Sequence, residues 1–146
     1  MKLSVLQENL LKDLASSVRV VGNKPQIPVL SHVLLRAGKS GLEVQATNLE
    51  LGWRGWVGAS VEEEGEITVP VKTLFELVGN LGTGKMELCA DGPLLKLVSS
   101  GVKASVNGSV AEEFPVLPSY EQEEAIILKS NVIKNLIEKS VFATAG

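Results

Sequence analysis

Lys12 and Arg19 stand seven positions apart, the first within the helical segment from Gln7 to Val18 and the second directly after it. On a helix that spacing puts both on one face, opposite the leucines. Lys24 follows in Gly22-Asn23-Lys24-Pro25, a turn that breaks the helix and carries a basic side chain past its end. Cations so placed are suited to phosphate groups, and no aromatic residues interleave with them to stack on bases. The chemistry on offer is phosphate contact without sequence reading. Exposed helix lysines are common, so ordinary solvated charge stands as the alternative at this stage.

Other constellations lead nowhere. Gly79-Asn80-Leu81-Gly82-Thr83-Gly84-Lys85 satisfies the phosphate-loop spacing, but Met86 stands where a magnesium-binding Ser or Thr belongs. The segment also follows a helix and runs into a strand, the reverse of a phosphate loop, so a helix-ending glycine turn is the better reading. His32 is the only histidine and has no cysteine or histidine at ligand spacing. The glutamate runs lie in turns, without the apolar surroundings that raise a carboxylate pKa. Neither a nucleophile elbow nor a metal set is found, so the expectation is a non-enzymatic protein without catalytic residues, metal or cofactor.

The 146 residues are 45% hydrophobic and carry a formal net charge of −3. An acidic balance argues mildly against nucleic acid as a whole, but the charge is uneven. Residues 1–24 hold Lys2, Lys12, Arg19 and Lys24 against Glu8 and Asp13. Acid gathers instead in Glu62-Glu63-Glu64, Glu112-Glu113 and Glu121-Gln122-Glu123-Glu124. A basic stretch in an acidic protein still supplies a local cation surface. No apolar run approaches membrane-spanning length, and the N-terminus turns polar too early for a secretory signal. With Cys89 as the single cysteine, in a strand pattern, the expectation is a structural thiol in a reducing cytoplasm.

The elements that would position these residues come in a repeat. Lys2-Leu3-Ser4-Val5 runs into Leu10-Leu11-x-x-Leu14, Glu66-Ile67-Thr68-Val69 into Leu74-Phe75-x-x-Val78, and Ala125-Ile126-Ile127 into Val132-Ile133-x-x-Leu136. Each copy is a short strand followed by an amphipathic helix. After the first copy, strands are expected over Val29–Ala37, Leu42–Thr47 and Glu50–Val61, with a hairpin at Gly38-Lys39-Ser40-Gly41. The second has a helix over Val71–Leu81 and strands over Met86–Ala90, Leu94–Ser99 and Val102–Val106. The prediction is an α+β fold of two β-α-β-β-β units forming paired antiparallel sheets covered by two helices. Residues 1–120 would form one domain. An acidic linker spans 111–124, and 125–146 would open an incomplete second domain with a helix capped by Ser130. The third copy breaks off at Gly146, which suggests that the sequence stops inside a unit.

The residues as a series resemble the bacterial sliding clamp family, the beta subunit of DNA polymerase III. The resemblance rests on Met1-Lys2-Leu3-Ser4-Val5 with Glu8-Asn9-Leu10-Leu11, then Lys24-Pro25-Gln26-Ile27-Pro28-Val29-Leu30-Ser31. It continues through Ala46-Thr47-Asn48-Leu49-Glu50, Ile67-Thr68-Val69-Pro70-Val71-Lys72, Glu112-Glu113-Phe114-Pro115 and Leu136-Ile137-Glu138-Lys139-Ser140-Val141-Phe142-Ala143. Each match is weak alone, but the order and spacing are specific.

The resemblance implies the DNA-clamp fold, with the two helices on the DNA-facing side of a ring threaded by double-stranded DNA. It implies a DNA polymerase processivity factor in DNA replication, a head-to-tail homodimer served by a clamp loader and shared by a replicative polymerase, with no membrane attachment. Lys24 matches the basic residue that touches DNA in the family. Lys12, Arg19 and Lys72 fall on segments that should face the hole, and Val102, Lys103, Ala104, Ser105 and Val106 resemble the edge that meets the neighbouring subunit. The family's peptide-binding pocket lies between its second and third domains, so it is expected to be absent here, and without a third domain this chain is expected to be unable to close a ring alone. The alternative is a clamp-fold protein-interaction module that does not bind DNA.

Overall fold

The computed structural model describes residues 1–21, 27–118 and 126–144. Strand β1 (Lys2–Leu6) leads directly into helix α1 (Gln7–Val20). A 3-10 turn over Pro28–Ser31 precedes β2 (His32–Gly38), β3 (Gly41–Thr47), β4 (Gly52–Val57) and β5 (Ala59–Glu63). The second unit comprises β6 (Gly65–Pro70), α2 (Val71–Asn80), β7 (Lys85–Asp91), β8 (Leu94–Ser99) and β9 (Val102–Asn107).

Among the described residues the strands form two antiparallel sheets, ordered β5-β1-β7-β8-β9 and β4-β3-β2-β6. The two units therefore trade their first strands. β1 pairs with β7 of the second unit, with Leu3 opposite Leu88, and β6 pairs with β2 of the first, with Val69 opposite Val33. Neither unit can complete a sheet without the other, so the doubled sequence specifies one body rather than two. The symmetry extends to the edges. β5 flanks β1, and Ser109 flanks β6 through a bridge to Thr68.

Period-two burial along the strands and a period near 3.6 along the helices meet in one core. Leu3 and Val5, Leu10 and Leu14, Leu35, Leu42, Ile67, Leu74, Val78, Leu88 and Leu97 all belong to it. Each fully buried leucine contributes about 1.5–3 kcal/mol of transfer free energy. In α1 the buried residues are Gln7, Leu10, Leu14 and Ser17, whereas Leu6 at the helix start is half exposed.

Several boundaries differ from the sequence reading. The expected strand from Val29 begins only at His32, because Pro28 fixes its φ and lacks an N–H, which favours the 3-10 turn. The single strand expected over Glu50–Val61 is two: β4 ends at Val57 in one sheet, and after Gly58 the chain crosses to become β5 at the edge of the other. The expected linker begins too early. Ala111–Glu113 form a 3-10 turn, Phe114 is buried, and Arg54 donates to the Leu117 carbonyl, so this stretch straps the outer face of β4-β3-β2-β6. Beneath it Glu66, Arg36, Glu43 and Arg54 form a four-strand charge ladder, with N–O separations of 2.7, 3.7 and 3.3 Å.

Residues 126–144 are described by themselves. Residues 126–128, expected as strand, have no regular structure; the preceding Ala125 lies outside the described residues. Helix α3 (Ser130–Ser140) forms as expected, but Ser130 is its first helical residue and Lys129 holds the cap position without a side-chain hydrogen bond. Val132, Ile133, Leu136 and Ile137 line one exposed stripe.

Candidate nucleic-acid interface and strand edges

α1 and α2 pack side by side, the start of α1 against the end of α2. Gln7 fixes that arrangement. Its side-chain Nε2 donates to the Val78 carbonyl at 2.7 Å in the interior, and its backbone N–H donates to Gly84 O at 2.8 Å. With the apolar stripes of both helices turned into the core, the outward faces form one two-helix surface.

Lys12 and Arg19 are exposed on this surface, as their spacing requires, and neither forms a salt bridge among the described residues. Arg19 sits in the last turn of α1, where the helix dipole favours a cation. Lys72 is exposed in the first turn of α2. Lys24, which the resemblance matches to the family's DNA-touching basic residue, lies outside the described residues. Glu8 and Glu76 are exposed on the same two helices, so the surface is close to balanced rather than strongly positive.

Asp13 completes this surface. Burial against β4 raises its carboxyl above the ordinary aspartate range, while Lys12 beside it and the Trp53 indole pull it down. The Trp53 Nε1–H favours the carboxylate, yet it is buried without a hydrogen-bond partner of ordinary geometry. The carboxylate occupies the space that a Cβ on Gly55 would need, so a side chain at that position in β4 would push the Asp13 carboxylate aside. In the sequence Asp13 is distinguishable only as an acidic residue, since its burial depends on a strand distant in the chain.

β9 is paired only with β8, so its other side is an open edge. Val102, Lys103 and Ser105 are exposed and Ala104 is half-buried. Val106 is buried in its own core at 5% exposure, so it offers this edge its backbone only. β4 is a second open edge, which the sequence did not single out. Beside it, Thr47 Oγ1 and Asn48 Oδ1 hold a turn in which Leu49 takes a left-handed φ of 75°. That turn, Trp56 and Leu117 surround a groove of about 370 Å³.

The remaining candidates are structural. Gly79 to Lys85 is the turn from α2 to β7. Cys89 is half-buried in β7, opposite Lys2 and Lys96 on the neighbouring strands. No cluster of three or more His, Cys, Asp or Glu side chains suited to a metal occurs among the described residues. No helix among them is long and apolar enough to cross a membrane.

His32 instead ties down the strap. The Thr68 hydroxyl gives its single proton to Ser109 O at 3.0 Å, so it must accept from His32 Nδ1 at 3.3 Å. That assigns the neutral imidazole its Nδ1–H tautomer. Burial lowers the His32 pKa, with Glu113 opposing. The unfolded chain then takes up the proton first as pH falls. Stability is therefore retained above about pH 6.5, drops as pH falls below it, and levels off once the folded protein also protonates. Denaturant unfolding at pH 7.5 and 5.5 should show a smaller acid loss in His32→Asn than in the parent. Equal losses would remove His32 as a source.

The family described as DNA polymerase III beta subunit, N-terminal domain, matches residues 1–118. A beta sliding clamp of Synechococcus elongatus is 34% identical, the match covering 100% of this chain and 40% of the relative. One from Chlamydia muridarum is 31% identical over 97% of this chain and 39% of the relative. Among solved structures, Caulobacter crescentus pol III beta superposes with a TM-score of 0.89 at 32% identity, covering 97% of this chain and 39% of that one. The DNA polymerase sliding clamp from Bacillus subtilis gives a TM-score of 0.92 at 22% identity over 97% of this chain and 40% of that one, a likeness of fold alone. The chain spans about 40% of the length of the curated relatives it matches. The expected α+β clamp fold is the one found.

Proposed function

Since the chain belongs to the DNA polymerase III beta subunit family through its N-terminal domain, we propose that it is the first module of a processivity factor in DNA replication. In this reading residues 1–120 are one clamp domain and 125–146 begin the next. The longer protein encircles duplex DNA as a head-to-tail homodimer, loaded by a clamp loader and used by a replicative polymerase in the cytoplasm. It is a non-catalytic accessory subunit. It binds without chemistry or sequence choice, and topology rather than grip keeps it on the duplex.

The observation that supports this most is the two-helix surface. Lys12, Arg19 and Lys72 are exposed on it, and the sequence adds Lys24 shortly after α1 as a further candidate. Long, mobile cations without aromatic partners suit phosphates in any sequence context, so sliding meets little base-dependent resistance. The open β9 edge, with Val102, Lys103, Ala104 and Ser105, is the place for backbone pairing with a neighbouring subunit.

Duplex binding measured by fluorescence anisotropy across a salt series tests the reading. Three or four phosphate contacts predict that log affinity falls against log salt with a slope of about −3, alike for unrelated sequences. Lys24→Glu should weaken binding to every duplex equally. A marked sequence preference, or affinity indifferent to salt, would overturn the proposal.

The near balance of Lys12, Arg19 and Lys72 against Glu8 and Glu76 favours a second reading, a clamp-fold interaction module that does not bind DNA. It predicts concentration-dependent association that ignores both duplex and Lys24→Glu.

A further inference from the structure

We draw no further inference here: the strongest candidate, the apolar groove beside the β4 edge rimmed by Leu49, Leu51, Trp56 and Leu117, is an unpartnered face, and nothing in the structure shows what covers it.

Discussion

Gly108→Ala is expected to lower stability by about 3 kcal/mol, among the larger effects of adding one methyl group to a packed site. A Cβ there would overlap the Thr68 carbonyl oxygen and lie 2.9 Å from Val69 Cγ1 and 3.2 Å from Ile67 Cγ1. The Thr68 oxygen cannot step aside, because it belongs to the β6 backbone and accepts the Ser109 N–H at 2.8 Å. Nor can Gly108 withdraw cheaply, since its own N–H donates to Pro93 O at 2.7 Å. Relief requires parting the Thr68–Ser109 bridge, and with it the strap that His32 and Phe114 help hold. Thermal unfolding should show the midpoint falling by about 10 °C for a chain of this size. Gly58→Ala is the control, because its Cβ meets nothing within 4 Å; its change should stay within about 0.5 kcal/mol. If the two variants melt together, the close approach at Gly108 is not what makes that position glycine.

That glycine illustrates what the sequence could and could not disclose. The amphipathic stripes of α1 and α2 were legible because Leu10, Leu14, Leu74 and Val78 repeat at helical spacing, a signal carried within one short segment. The same spacing extends to Gln7 and Ser17, yet both are polar, so the apolar repeat carries no signal for them. They are buried because each found a backbone carbonyl, Val78 O for Gln7 and Asp13 O for Ser17. The first of those partners is 71 residues away. The exchange of first strands between units was hidden for the same reason. β1 and β6 carry similar alternating patterns, and only the register with β7 and β2 decides which sheet each joins.

The site divides along the same line. Exposure of Lys12 and Arg19 followed from periodicity, whereas the edge status of β9 and β4 is a property of sheet order. Val106 fell inside an otherwise exposed strand because strand alternation turns every second residue inward. Gly58 gave no hint that it separates two sheets, since one glycine in an alternating run reads equally well as a bulge.

Replacing both Lys12 and Arg19 with alanine should weaken binding to any duplex by about a hundredfold near 0.1 M salt, if both contact phosphates. Counterion release gives each contact about 0.9 of a decade per decade of salt, so relative to 1 M the pair accounts for close to two decades. The salt slope should become shallower by about 1.8 in the same experiment, a readout that loss of folded protein would not mimic. Folding itself is expected to change by no more than about 1 kcal/mol. Both side chains are exposed, neither forms a salt bridge among the described residues, and the dipole contribution at Arg19 is offset in part by the helix propensity of alanine. The opposite change sharpens the test. Glu8→Gln with Glu76→Gln removes two like-charged obstacles from the surface and should tighten binding at low salt, with the gain screened away as salt rises. Should both double variants leave affinity and slope untouched, the outward faces of α1 and α2 do not meet phosphates. The clamp fold would then serve this chain through its open strand edges instead.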